Sequence, residues 1–326
     1  MNRAMFSGVA GLKAHQTKMD VIGNNIANVN TYGFKAQHAV FSDVFYQTLR
    51  GASAGTTSTD STVNTVGGTN PSSVGYGSKL VAVRSDMSSS SLQSTGNSLD
   101  VAITGEGFIT VKQGSGGSTY YTKAGELGVD TAGNVVDVNG DLVCGLNYTK
   151  GTDTTTCESV DAKGNVTWRT APGGYTVSPL NLLAGLNDAF AAYSAANSNT
   201  ETLPSTASMS DLTGISIGAD GNVSVTYKDK SYQVGKIMLA NFQNPAGLQA
   251  AGSGYFVSSA NSGTAKYTVP GTDGTGSLQS STLEMSNVDL ASEFADMITT
   301  QRGFQANSRI ISVSDSMLEE LINLKR

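Results

Sequence analysis

Apolar residues recur every seventh position at both ends of this chain and alternate with polar ones in its middle. Near the start, Met5, Leu12, Met19 and Ile26 form one line, with Val9 and Ile22 beside it. That spacing predicts a helix of about four turns or more with a single apolar seam. The pattern stops at the turn-prone stretch Asn28-Val29-Asn30-Thr31-Tyr32-Gly33. At the other end Leu290, Met297, Phe304, Ile311 and Leu318 are again seven apart. Ser286 or Asn287 is placed to cap this second helix, and Asp289 and Glu293 suit its N-terminal end. A further line, Ile310, Val313, Met317, Leu321 and Leu324, runs along the same helix. At about 100° per residue it lies almost opposite Phe304 and Ile311.

The last helix therefore has two apolar faces. One is expected to pair with the N-terminal helix within a subunit: Met5, Leu12, Met19 and Ile26 against Leu290, Met297, Phe304, Ile311 and Leu318. The other would stand in water in a lone molecule. A helix that is apolar on two sides is buried on both, so Ile310, Val313, Met317, Leu321 and Leu324 are expected to pack between subunits. Asn24, Asn25, Asn28 and Gly33 are expected to shape the exit from the first helix, because Asn caps helices and tolerates left-handed backbone. Phe34 is expected to anchor that turn on the body of the protein.

Between the helices the chain changes character twice. Residues 47–98 are rich in Gly, Ser and Thr and read as an extended linker with short strands, such as Leu80 to Arg84. From about Leu99 the pattern becomes β. Three segments resemble one another: Val129-Asp-Thr-Ala-Gly-Asn-Val135, Val160-Asp-Ala-Lys-Gly-Asn-Val166 and Ala219-Asp-Gly-Asn-Val223. Each places a Gly-Asn turn beside β-branched residues, as hairpins do. Leu180 to Tyr193 reads as helix. The fold expected is α+β: paired N- and C-terminal helices forming a coiled-coil stalk, with a mainly antiparallel β body inserted between them. The divisions expected are helix and turn (1–46), linker (47–98), first part of the β domain (99–147), a small outer insertion (148–210), second part of the β domain (211–280) and C-terminal helix (281–326).

Composition narrows the chemistry. The 326 residues carry only 14% charged side chains and a net charge of -6, against about a quarter charged in ordinary soluble domains. Such a surface suits packing against other protein, and nothing in it forms a nucleic-acid footprint. No stretch approaches the roughly 18 apolar residues of a membrane span, and Met1 to Ala10 holds no core of a cleaved signal peptide. His15 and His38 are the only histidines, which leaves little for a triad or a metal cluster. His15 reads as a polar helix position. The Asp-Gly-Asn turns lack the spaced ligands of a calcium loop. Cys144 and Cys157 either close a small loop or stay unpaired. No catalytic, cofactor-binding or metal site is expected, and no enzyme.

Two terminal motifs resemble a known family. Residues 17–35, Thr-Lys-Met-Asp-Val-Ile-Gly-Asn-Asn-Ile-Ala-Asn-Val-Asn-Thr-Tyr-Gly-Phe-Lys, are similar to the N-terminal signature of bacterial flagellar rod and hook proteins. Leu283-Glu-Met-Ser-Asn-Val-Asp-Leu290, Met297-Ile-Thr-Thr-Gln-Arg-Gly-Phe-Gln-Ala-Asn307 and Asp315-Ser-Met-Leu318 resemble its C-terminal signature, and Asn241-Phe-Gln-Asn-Pro-Ala-Gly-Leu248 one of its β-domain motifs. The resemblance implies a self-assembling subunit of a hollow tube, exported through the flagellar type III apparatus without a cleaved signal. Val21-Ile22-Gly23-Asn24-Asn25-Ile26 is closer to hook members than to distal-rod members, where Ala commonly replaces that Gly. That implies an extracellular hook subunit, a flexible joint passing torque from rod to filament. Its partners would be further copies of itself, the distal rod, the hook cap and the hook–filament junction proteins. A distal rod subunit forming a straight shaft is the alternative, and a secreted β-rich binding module a remoter one.

Overall fold

The computed structural model describes residues 2–57, 64–114, 116–147, 159–160, 166–167, 177–197, 212–228 and 230–324. The chain divides into two compact units. The first holds Met1–Asn28, Ala36–Asp86 and Val288–Arg326, and the second Val29–Lys35 and Met87–Asn287. The fold is α+β, with a mainly antiparallel β body between two terminal helices.

In the first unit, helix α1 (Asn2–Ala27) and the last helix run antiparallel. Asn28 ends α1: its N–H reaches the carbonyls of Asn24 and Asn25, and its Nδ2 donates to the Asn24 carbonyl at 2.9 Å and to Asn24 Oδ1 at 2.7 Å. The rest of the unit is one long antiparallel ribbon. Gln37–Asp43 pairs with Ser78–Ser85, Tyr46–Arg50 with Ser72–Gly75, Ser53 bridges Thr69, and Thr56–Thr57 pairs with Asn64–Val66. Of the stretch 47–98 expected to be a linker with short strands, the part up to Ser85 is a paired arm that includes the expected strand at Leu80 to Arg84, and the part from Met87 belongs to the second unit, where Leu92–Ser94 pairs with Thr282–Glu284. Backbone hydrogen bonds pair the arm's strands; near its base they carry apolar residues such as Val40, Phe41, Val81 and Val83, whereas farther out Gly, Ser and Thr predominate.

The second unit is the β body. Its main sheet runs in the order Leu212–Ile217, Asn222–Tyr227, Lys230–Ile237, Leu142–Asn147, Phe108–Lys112, Thr119–Thr122, Tyr255–Val257 and Gln249–Gly252. Central strands are buried on both faces. Along Phe108–Lys112, Ile109 and Val111 join a core of Val101, Ile103, Val143, Leu180, Val225, Val234 and Leu239. Phe108 points the other way, into an aromatic cluster, 5.9 Å from the rings of both Phe242 and Phe256. Two of the three similar segments form antiparallel hairpins, Leu127–Val129 with Val135–Asp137 and Leu212–Ile217 with Asn222–Tyr227. In the third, Ser159–Val160 pairs with Val166–Thr167, and the turn lies outside the described residues. Helix α2 (Leu182–Asn197) buries Leu182 and Leu186 in the same core, and Gly185 lets it approach the carbonyl of Val234. Most of 148–210, including Cys157, lies outside the described residues. Cys144 is a buried free thiol whose pKa burial pushes up to about 11, so it stays protonated at neutral pH.

Candidate assembly interface

The helix that closes the chain, α3 (Leu290–Asn323), is capped by Asp289, whose Oδ1 accepts the Ala291 N–H at 3.1 Å, rather than by Ser286 or Asn287. Its pairing with α1 is fixed by a ladder of contacts. A methyl on Gly8 would meet Ile311 at 3.3 Å, one on Gly11 would meet the Asn307 amide, and one on Gly303 would meet His15 at 2.8 Å. Lys18 Nζ lies 3.1 Å from Asp296 Oδ2, and Asn25 Nδ2 donates to Glu293 Oε1 at 3.0 Å. The small residues Gly8, Gly11 and Ala14 let the backbones approach, and Ile22 and Asn25 complete the buried positions of α1.

On α3 the buried positions are Glu293, Thr300 and Ser314, while Met297, Phe304, Ile311 and Leu318 are half-buried beside them. On α1, Met5, Leu12, Met19 and Ile26 are likewise half-buried. Leu290, at the first turn, is exposed and stands outside the seam. A sequence reading built on apolar lines passes over the polar half of this seam. Its signal was present: Glu293, Thr300, Asn307 and Ser314 also recur every seven residues.

Asn25 is fully buried and ties three elements. It donates to Gln37 O at 2.8 Å, accepts from the Gln37 N–H at 3.0 Å and holds the Glu293 carboxylate. Asn24 and Asn28 bond to one another at the helix end, as given above. Gly33 lies in the second unit with φ +69°, where its N–H donates to Glu284 O at 2.9 Å and a Cβ would strike the backbone of Ala124 at 2.6 Å. Gly33→Ala is expected to cost about 1–3 kcal/mol from the left-handed backbone alone. A urea titration reads this, and an unchanged midpoint would mean that the turn relaxes freely. Phe34 is half-buried, and its N–H donates to the Thr31 carbonyl.

Beside this turn the β body buries three charges that sequence reasoning missed. Lys35 Nζ donates to Glu284 Oε1 and to the Ser88 carbonyl, both at 2.7 Å. Glu284 Oε1 also accepts the Ser90 N–H at 3.0 Å. Lys123 Nζ stands 3.8 Å from Glu284 Oε2 and donates to the Gly105 carbonyl at 3.2 Å. Burial pushes the Lys123 pKa down, and Glu284 pulls it back up. The hub gathers residues 35, 88–90 and 284, short segments next to the points where the chain passes between units.

The second apolar line of α3 is exposed. Ile310, Val313, Met317 and Leu321 keep between 42 and 57% of their surface in water, and Leu324 keeps 82%. Further exposed apolar residues are Phe294 and Ile298 on α3, Phe6 on α1, and Phe45, Tyr46, Leu49 and Val74 on the arm. Scattered apolar side chains are ordinary on a surface; Ile310, Val313, Met317 and Leu321 stand in a row along one helix. Among the described residues, no group of three or more His, Cys, Asp or Glu side chains could hold a metal ion, and no helix is long and apolar enough to cross a membrane.

Comparison with known proteins agrees with this arrangement. Residues 5–35 match the flagella basal body rod protein family, residues 102–225 the D1 domain of flagellar hook protein FlgE/F/G, and residues 279–324 the C-terminal family of flagellar basal body rod FlgEFG proteins. The flagellar basal-body rod protein FlgG of Bacillus subtilis is 40% identical over 328 aligned residues, spanning all of both chains. The FlgG of Borreliella burgdorferi is 34% identical over 329, and the flagellar hook protein FlgE of the same organism is 28% identical over 450, each again spanning both chains. With these matches running from end to end, and with two paired terminal helices flanking the β body, the chain belongs to the FlgE/F/G family of flagellar rod and hook structural proteins.

Proposed function

We propose that this chain is a subunit of the straight distal part of the flagellar rod, assembling with copies of itself through the exposed face of α3. The observation that carries this reading is one of length. The rod relatives align over 328 and 329 residues with a chain of 326, so almost nothing is added or removed. The hook relatives need 450 and 477 aligned positions, so well over a hundred positions of those proteins have no counterpart here. A second support is the arm. A continuous ribbon carrying exposed Phe45, Tyr46, Leu49 and Val74 suits rigid contact with neighbours better than a slack joint does. The hook reading retains one observation in its favour, the Gly23-Asn24-Asn25 form of the N-terminal motif.

Electron microscopy of polymers grown from the purified chain separates the two. Straight, stiff shafts are expected, and curved, supercoiling tubes would sink the rod reading. Replacing residues 51–71 by a two-residue Asn-Gly turn keeps the base of the ribbon paired and removes its distal part. Polymers of that variant are expected to lose stiffness, visible as curvature in the same images. Shafts as straight as those of the unaltered chain would show that the outer arm does not set rigidity.

A further inference from the structure

The exposed apolar residues of α3 are not one stripe. Its seam with α1 passes through Glu293, Met297, Thr300, Phe304, Asn307, Ile311, Ser314 and Leu318. Phe294 and Ile298 each follow a seam residue by one position, whereas Ile310, Val313 and Met317 each precede one. One step along a helix turns about 100°, so the two sets lie on opposite flanks of the seam. Phe294 is 50% and Ile298 58% exposed, comparable to the set near the other end.

Each flank is polar where the other is apolar. The positions following the seam in the second half are Ser308, Ser312, Asp315 and Glu319, and those preceding it in the first half are Ser292, Asp296 and Thr299, all exposed. The patches are also matched in spacing. Val313 lies nineteen positions after Phe294, and Met317 nineteen after Ile298.

We propose that Phe294 and Ile298 of one copy dock on Val313 and Met317 of a parallel neighbour, so that adjacent α3 helices lie side by side with an axial stagger of about 28 Å, nineteen residues at ~1.5 Å each. The occupant of each patch is a second copy because only that arrangement covers both. Parallel helices set side by side bring the left flank of one against the right flank of the next, and a shift of nineteen residues puts apolar on apolar. A two-fold pair would bring like flank to like flank, joining the Phe294 patch to itself and leaving the larger one in water. A contact between different patches is head-to-tail and propagates as a helix or closes as a ring. The inference rests on the assembly reading above and adds to it which surfaces meet.

Cysteine cross-linking tests it in the full-length chain carrying Cys157→Ser, with buried Cys144 left in place. Polymers of the Ile298→Cys/Met317→Cys double variant, oxidised and run on a denaturing gel, are expected to give a ladder of covalent multimers. Phe294→Cys/Val313→Cys should give the same ladder. Each single variant alone should stay monomeric on the gel, and mixed polymers of the two singles should stop at dimers. Dimers from a single variant would establish a two-fold contact and overturn the proposal. Polymers of both double variants without a ladder would overturn the stagger and leave the assembly reading standing. Failure of the unaltered chain to polymerise at all would overturn both.

Discussion

Glu284→Ala is expected to destabilise the β body by about 3–5 kcal/mol, because it removes a carboxylate shared by two buried ammonium groups. Lys35 Nζ would keep the Ser88 carbonyl and Lys123 Nζ the Gly105 carbonyl, but the carboxylate that both approach would be gone, leaving Lys123 only the weaker pull of Glu106. The Ser90 N–H would also lose its acceptor. The cause is separable from packing. Glu284→Gln keeps the shape and offers Ser90 a carbonyl, so if charge is responsible it should lose nearly as much as the alanine variant. Urea titration followed by circular dichroism measures both. A glutamine variant as stable as the original would show that the hub works as a set of hydrogen bonds and that the charges add nothing.

Leu321→Asp and Ile310→Asp are expected to abolish polymer formation while leaving a folded monomer. Both side chains are 43–48% exposed in the lone subunit, so placing a charge there changes monomer stability within about 0.5 kcal/mol. In the polymer the same carboxylate would lose its water without gaining a partner. A cost of about 3 kcal/mol per contact, compounding the lost apolar burial, raises the concentration needed for assembly roughly a hundredfold. Sedimentation together with circular dichroism reads both halves. Pelleting polymer from either variant at the usual concentration would remove that residue from the interface. A monomer that no longer folds would place it in the intrasubunit core instead.

How much of this could be read from the sequence depended on whether the force involved leaves a periodic trace. The two terminal helices were legible because Met5, Leu12, Met19 and Ile26, and Met297, Phe304, Ile311 and Leu318, repeat at helical spacing. The Gly-Asn turns announced hairpins because left-handed backbone selects few residues. The arm from Gln37 to Ser85 was legible only in part: Leu80 to Arg84 read as a strand and lies in one, but its partner and the pairing farther out are carried by the main chain, which every sequence possesses. The hub of Lys35, Lys123 and Glu284 was hidden for another reason. Its members are 88 or more positions apart, and a charged residue in a sequence is by default a surface residue. Asn25 and Glu293 were each singled out for a local role, but the contact between them spans 268 positions and left no local trace. The cap at Asp289 was displaced from its expected place by a few residues, the usual uncertainty where several polar residues stand in a row.

The antiparallel pairing of α1 with α3 has a consequence for timing. Asn25 and its partner Glu293 are 268 residues apart, so α1 has no mate until nearly the whole polypeptide has been made. Bringing such distant segments together is slow compared with closing local hairpins. The β body can settle first, while the opening helix waits unmatched. On the assembly proposed above, the exposed face of α3 is among the last parts of the described chain to be made, so a partly made chain would lack the surface proposed to join one copy to the next.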